Sequence, residues 1–559
     1  MPVINVNLAD LREMLGRDVT VEELQERLPM MGTSWEGPTQ VSQGFYEGFA
    51  LEVFPNRPDL MSTEGLARAY ASFTGEKPGP RHYKVRDSKY VAVVDEKTQK
   101  VRPYFVCAVA KGVDFSDSLI RSIIQLQEKL HITHGRKRRK VAIGLHNLKP
   151  VQFPVTYTTK PSEFKFKPLG ERFDKDLRWM LTEMPKGVEY AWTLEGAEEY
   201  PMILDAKGMV LSMPPIINGD YTRIDEATSD LFIDITGTDL KAITETLNII
   251  CATFADRGAE IYAVEVMYPD KVLKTPDLSP RRWRLSNRYV NKTLGLELGH
   301  AETVMLLGRM GHGAEVVGDE IDVQVPCYRT DIMHPIDLVE DVAIAYGYDK
   351  IVPNIPPIHT KAGEDELEIF SRYLRNFLVG FGHMEVVTFM LSNREKLFKR
   401  MSIAEEPLAE VENPKMEGYN VLRNRLLPSL MEVLSVNKHH PYPQSLYEVD
   451  DVVLLDEETD IGARSTRRLA VVQCHAKASF SDIKAMLLSI LENLDVKADI
   501  EAGGWDCFID GRRLVARVNG EPLCWAGEIR PESLEAWGLE LPVAALEMDI
   551  DLLKRVVKP

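Results

Sequence analysis

Asp337, Glu340 and Asp341 stand at i, i+3 and i+4, a spacing that sets three carboxylates on adjoining positions of one helix surface. Asp331 lies just ahead of them, beyond Pro335, a residue suited to the first turn of a helix. Four hard oxygen donors this close repel one another unless a cation or a basic partner neutralises them. Mg²⁺ would fit, because it prefers carboxylate oxygens and keeps several waters. A simpler reading is also open: acidic residues in a first helical turn complement the positive end of the helix dipole.

A second set of polar residues is spread over strands and a loop. Leu231-Phe-Ile-Asp-Ile235 reads as a buried strand carrying one carboxylate, Asp234, in an apolar run. Met202-Ile-Leu-Asp205, Lys207-Gly208 and Met209-Val-Leu-Ser-Met213 read as a hairpin that holds Leu204 and Ser212. The polar loop Pro214–Arg223 follows, with Asn218 inside it. Arg136-Lys-Arg-Arg-Lys140 gathers five cations, either as a solvated loop or as an attractor of phosphates.

The elements that must position these groups are legible from periodicity. Leu338, Val342, Ala345 and Tyr346 form the buried stripe of the acidic helix. Leu240, Ile243, Leu247, Ile250, Cys251 and Phe254 do the same for a helix after the Asp234 strand, and Gly258 ends it. Ser62 is placed to cap a helix with Leu66, Ala69, Tyr70 and Phe73 on one face. Ahead of it, Phe54-Pro-Asn-Arg-Pro-Asp-Leu60 reads as a rigid turn.

The 559 residues imply three or four domains. Hydrophobic residues make up 44% and charged ones 27%, as in globular proteins, and no apolar run is long enough to span a membrane. The first residues lack a basic stretch followed by an apolar one, which argues against secretion. Six scattered cysteines without a Cys-x-x-Cys pair argue against structural zinc or a disulfide framework and fit a reducing cytoplasm. A net charge of −18 argues against a general nucleic-acid binder but leaves a local RNA contact open.

The expected fold is α+β and multidomain. Residues 1–85 form an N-terminal α/β domain, and 86–275 alternate strands and helices. Residues 276–355 run helix, helix, hairpin and acidic helix, a winged or helix-turn-helix-like module. The proline-rich stretch Val352–Ile358 marks a boundary, and 356–559 form a last domain. His131-Ile-Thr-His-Gly135 lacks the Rossmann strand that a nucleotide-binding signature would need, and the spacing of Gly308, Gly311 and Gly313 is neither a P-loop nor a dinucleotide fingerprint.

Read together, several segments resemble the β subunit of phenylalanyl-tRNA synthetase of the archaeal and eukaryotic cytosolic type, over essentially the whole chain. They are Pro55-Asn-Arg-Pro-Asp-Leu60, Arg138-Arg-Lys-Val-Ala-Ile-Gly144, Met213-Pro-Pro-Ile-Ile-Asn218, Tyr328-Arg-Thr-Asp331 with Asp337-Leu-Val-Glu-Asp-Val-Ala343, and Trp525-Ala-Gly-Glu-Ile-Arg-Pro531. The resemblance implies an (αβ)₂ heterotetramer with an α subunit that joins phenylalanine to tRNA(Phe) using ATP, bound mainly by α, and Mg²⁺. It implies that residues 356–559 resemble a class II synthetase antiparallel-sheet domain without catalytic motifs. Glu448 in Leu446-Tyr-Glu-Val449 has no Arg two positions before it, and Ala544-Ala-Leu-Glu-Met548 lacks a glycine-rich turn and an Arg. Without those cations, developing phosphate charge has no clamp.

The resemblance also makes 86–275 an editing domain. A pocket shaped for phenylalanine rejects tyrosine weakly, by roughly 10² in a comparable added-hydroxyl case, so a second site that hydrolyses Tyr-tRNA is useful. Leu204, Ser212, Asn218 and Asp234 are the implied pocket residues. The four implied Mg²⁺ ligands are Asp331, Asp337, Glu340 and Asp341. A non-catalytic RNA-binding scaffold with a degenerate editing site is the alternative.

Overall fold

The computed structural model describes residues 2–39 and 48–557. It divides into two compact units, residues 1–355 and 356–559. The division falls in the proline-rich stretch, where Ile355 is 94% exposed. The expected boundaries near 85 and 275 do not separate compact bodies, because one hydrophobic core runs from Ile4 through Leu66, Ile233 and Leu285 to Ala345.

In the first unit, Ser62 caps the helix Thr63–Phe73 by accepting the Gly65 N–H. A five-stranded sheet places Leu231–Gly237 between Tyr104–Lys111 and Val141–Asn147, antiparallel to both. Every residue of that strand is buried, so both faces are covered. Leu231, Ile233 and Ile235 join the main core, which also takes in the apolar stripe of the Asp239-capped helix Leu240–Asp256. Phe232 lies on the opposite face and packs with Tyr157, Ile203 and Leu211 of a seven-stranded sheet. That second sheet holds the expected hairpin, Tyr200–Leu204 paired with Val210–Met213.

Helices Asn287–Leu294 and His300–Arg309 precede the hairpin Gly313–Val317 and Glu320–Val325, which joins Arg281–Ser286 in a three-stranded antiparallel sheet. The acidic helix spans Pro335–Tyr346, with Leu338, Val342 and Ala345 buried as its period requires.

The second unit is built on a seven-stranded sheet, antiparallel except for the short edge strand Met384–Glu385. Alternation along Ala463–Cys474 sends Leu469 and Val471 to one core and Ala470 and Val472 to another on the opposite face. Helix Phe480–Asn493 contributes to the first core and Leu427–Val436 to the second. Among the described residues no helix is long and apolar enough to cross a membrane.

Candidate active site

Side chains alternate along the strand, so Asp234 shares the face of Phe232 and Thr236, with Cys107 and Gly144 as its cross-strand neighbours. Two residues beyond Gly144, His146 returns to the same face. Its Nε2 lies 2.5 Å from Asp234 Oδ2, and its Nδ1 lies 2.7 Å from Thr222 Oγ1. Both His146 and Asp234 are buried. Gly144 is a requirement of this contact, since a Cβ there would stand 2.2 Å from Asp234 Oδ2.

A cleft of about 190 Å³ opens at Asp234, and Ser212 and Asn218 line it as well. Ser212 pairs in register with Asn218 on the neighbouring strand, and the Asn218 amide donates to Leu145 O. Ser212 Oγ is buried and has no hydrogen-bond partner among the described residues. An unsatisfied buried hydroxyl carries a desolvation cost, and a ligand or water in the cleft would relieve it. Leu204 is not brought into this lining. Leu204 packs with Phe166, Met180 and Ile216 in an apolar cluster whose members Met213 and Ile216 do line the cleft, and the extra residue of its hairpin, Leu211, lies on the facing strand.

The opposite wall comes from residues that the sequence reading did not select as pocket members. Helix Asp117–Ile132 supplies Glu128 and His131. His131 Nε2 accepts the Ile143 N–H, and its buried Nδ1, 3.7 Å from Glu128 Oε1, has no hydrogen-bond partner among the described residues. Burial lowers the His131 pKa to about 4, so the ring is neutral near pH 7 and its proton sits on Nδ1. Glu128 is held down at about 2, through its contact with His131 and the charge of Arg138, against the opposing effect of burial.

Arg138 belongs to the cationic run, yet it is buried. It donates to Pro215 O, Ile216 O and Glu128 Oε1, and its guanidinium covers the Tyr190 ring at 4.4 Å. Arg136, Lys137 and Arg138 have φ of 47, 54 and 64°, so three successive residues with Cβ atoms occupy the left-handed region. Each costs about 1–3 kcal/mol and persists only when the surroundings over-determine it. The anchors are visible: Arg102 donates to Arg139 O, and the Lys140 N–H bonds Gly135 O. Nothing in the cationic composition signals this turn.

The carboxylate cluster has a different character. Arg329 donates to both oxygens of Asp331 and to both oxygens of Asp341. His312 Nε2 lies 2.6 Å from Asp341 Oδ2. Asp337 Oδ2 accepts the backbone N–H groups of Met333 and His334, closing the helix N-terminus. Glu340 alone is exposed, and its pKa is raised by desolvation and by the charges of Asp341, Asp337 and Asp331. Among the described residues no set of three or more His, Cys, Asp or Glu side chains is arranged to hold a metal ion. The expected four-carboxylate Mg²⁺ shell is not assembled in this geometry, because Arg329, two residues before Asp331, already binds the oxygens of two of the donors, Asp331 and Asp341. Arg57, in the proline-bracketed turn, pairs with the buried Asp59 at 2.9 Å and lies in the field of Arg329 and Asp331.

In the second unit the conspicuous carboxylates are likewise spent internally. Glu448 accepts from the Thr388 N–H and from the buried Arg423. Glu547 accepts the Leu426 and Leu427 N–H groups and an N–H of Arg468. All six cysteines are buried as free thiols, and burial pushes Cys474 up to about 11.

Two family models match the chain and define its class. Residues 283–348 match the tRNA synthetase B5 domain, and 351–550 match the phenylalanyl tRNA synthetase beta chain CLM domain. Curated phenylalanine–tRNA ligase beta subunits extend the likeness end to end. The Archaeoglobus fulgidus protein is 39% identical over 98% of both chains, and the Pyrococcus abyssi protein is 38% identical over 98% of this chain and 99% of that one. The crystal structure of an N-terminal fragment of the phenylalanyl-tRNA synthetase beta subunit from Pyrococcus horikoshii aligns with a TM-score of 0.60. It is 36% identical and covers 62% of this chain and 99% of the fragment. The chain belongs to the phenylalanine–tRNA ligase beta-subunit family.

Proposed function

We propose that the chain is the β subunit of an (αβ)₂ phenylalanine–tRNA ligase in the cytoplasm, and that its cleft hydrolyses Tyr-tRNA(Phe). Phenylalanine activation with ATP and Mg²⁺ then belongs to the α subunit. This division is supported by the second unit, where Arg423 and Arg468 are committed to Glu448 and Glu547 rather than free for phosphate. The same unit exposes an apolar surface suited to a partner: Met384, Val387, Phe389 and Val436 are 65–84% exposed.

One observation carries the deacylase reading. The cleft gathers Ser212, Asn218 and Asp234 from three strands, and the Ser212 hydroxyl has no hydrogen-bond partner among the described residues. Ester hydrolysis there needs a group to recognise the phenol or ammonium of the tyrosyl moiety and a group to orient water. Asp234, with Oδ2 fixed against His146, or Asn218 suits the first role, and Ser212 the second. His146 acts as a positioning residue.

In the αβ complex, Asp234→Ala should let Tyr-tRNA(Phe) accumulate while phenylalanine activation stays near the unmodified rate. Deacylation of pre-formed Tyr-tRNA that is unchanged in this variant would sink the reading in favour of a non-catalytic RNA-binding scaffold.

A further inference from the structure

We propose that the left-handed cationic turn Arg136–Arg139 is a phosphodiester-binding rim that seats the single-stranded 3′ end of an RNA beside the cleft. The inference rests on the deacylase reading and adds to it the partner's backbone.

The turn divides its own charges. Arg138 points inward, lines the cleft and clamps the loop carbonyls of Pro215 and Ile216. Arg136, Lys137 and Arg139 point outward and are exposed, and among the described residues none of the three makes an ion pair with a carboxylate. Consecutive residues lie about 3.8 Å apart along the chain, so the backbone of these three residues flanks Arg138, which lines the cleft. A solvated loop has no need of three successive left-handed residues with side chains. Here the conformation is held from three sides, by Arg102, by Arg138 and by the backbone bond from Lys140 to Gly135.

The charge balance points the same way. A chain of net charge −18 repels a polyanion in bulk, so an RNA end requires local cations where it docks. Contacts to phosphates position a strand without reading its sequence, which is what an ester at the extreme 3′ end needs to be presented to Asp234 and Ser212. Lys186, on the same cleft, is 52% exposed at its side chain and widens the cationic rim.

The test uses the αβ complex carrying Arg136→Asn and Lys137→Asn, since asparagine tolerates the left-handed region. Two substrates are compared: Tyr-tRNA(Phe), and 2′(3′)-O-tyrosyladenosine, which has the ester but no phosphate. The expected result is a KM for Tyr-tRNA raised on the order of tenfold, with kcat unchanged, and a salt slope of log KM smaller by about 1.4 for two lost single-strand phosphate contacts. The phosphate-free ester should be hydrolysed as before. An unchanged KM and salt slope overturn the rim alone and leave the deacylase standing. An equal loss of kcat on both substrates also overturns it, because the turn then shapes the cleft instead. So does loss of binding to anionic vesicles with Tyr-tRNA unaffected, which assigns the turn to a lipid surface. If the unmodified complex hydrolyses neither substrate, the deacylase reading fails; the affinity for uncharged tRNA then decides the rim, and an equal Kd for both complexes overturns it.

Discussion

The cleft around Asp234 and the cluster around Arg329 are both buried collections of ionisable groups, and they differ in what is left over. In the cluster, Asp331 and Asp341 share one guanidinium and Asp337 closes a helix end. Among the described residues, Ser212 Oγ, His131 Nδ1 and Arg138 Nε of the cleft have no hydrogen-bond partner, whereas in the cluster those three carboxylates are bonded and the unmet buried atom is one imidazole nitrogen, His312 Nδ1. A carboxylate group that meets its countercharge inside the fold stabilises the fold. A polar atom that folding leaves unmet is where a ligand gains most. By this measure the carboxylates of the acidic helix, which dominates the sequence, are bound up in the fold, and the cleft, assembled from segments far apart in the chain, offers a ligand more unmet polar atoms.

The sharpest way to break that contrast is at Arg329. Arg329→Met should leave two buried carboxylates without their cation and destabilise this region by about 3–5 kcal/mol. Amide exchange in helix Pro335–Tyr346 reports it, and protection within a factor of ten of the unmodified chain would show that Arg329 is not the neutralising partner.

His131 supplies the next largest effect. Its folded pKa, about 4, lies below the ordinary 6.5, so the unfolded chain binds the extra proton as pH falls through this range. The stability that burial of neutral His131 allows is present above pH 6.5 and is lost between 6.5 and 4, by on the order of 2–3 kcal/mol. Glu128, lowered to about 2, acts in the same direction between pH 4.5 and 2, but its side chain is 35% exposed and solvent screening reduces its share. Stability measured against pH should fall less steeply over 6.5–4 in His131→Gln than in the unmodified chain. Equal slopes would place the acid sensitivity elsewhere.

How far these two regions could be read from sequence follows from the range of each interaction. The acidic helix and its buried stripe, the Asp234 strand and the helix after it depend on local period, and they appear where periodicity puts them. The Asp234–His146 contact depends on the pairing of strands 141–147 and 231–237, which no local pattern specifies. Leu204 keeps the regular alternation of its strand, with Met202 on the same face and Ile203 on the other, and the hairpin's extra residue, Leu211, falls on the facing strand, which no local pattern specifies. The cationic run was legible as charge but not as a left-handed turn, because Arg and Lys disfavour positive φ and only the tertiary anchors impose it. Arg329 was in plain view beside Asp331, and spacing alone could not say that its guanidinium would also reach Asp341.

Glu340 is the smallest and most discriminating probe. It is the one exposed carboxylate of its cluster, and its pKa is raised by desolvation and by three neighbouring carboxylates, so its negative charge opposes the fold. Removing that charge in Glu340→Gln should leave stability at pH 7 unchanged or raise it by less than about 1 kcal/mol, since exposure screens the repulsion. Added Mg²⁺ and added EDTA should each leave the unmodified chain's stability where it was, because Arg329 occupies the oxygens of Asp331 and Asp341 and backbone N–H groups occupy Asp337. If EDTA instead lowers the stability of the unmodified chain and Glu340→Gln abolishes that sensitivity, the cluster binds a cation through Glu340. The boundary between architecture and site would then have to be redrawn around the acidic helix.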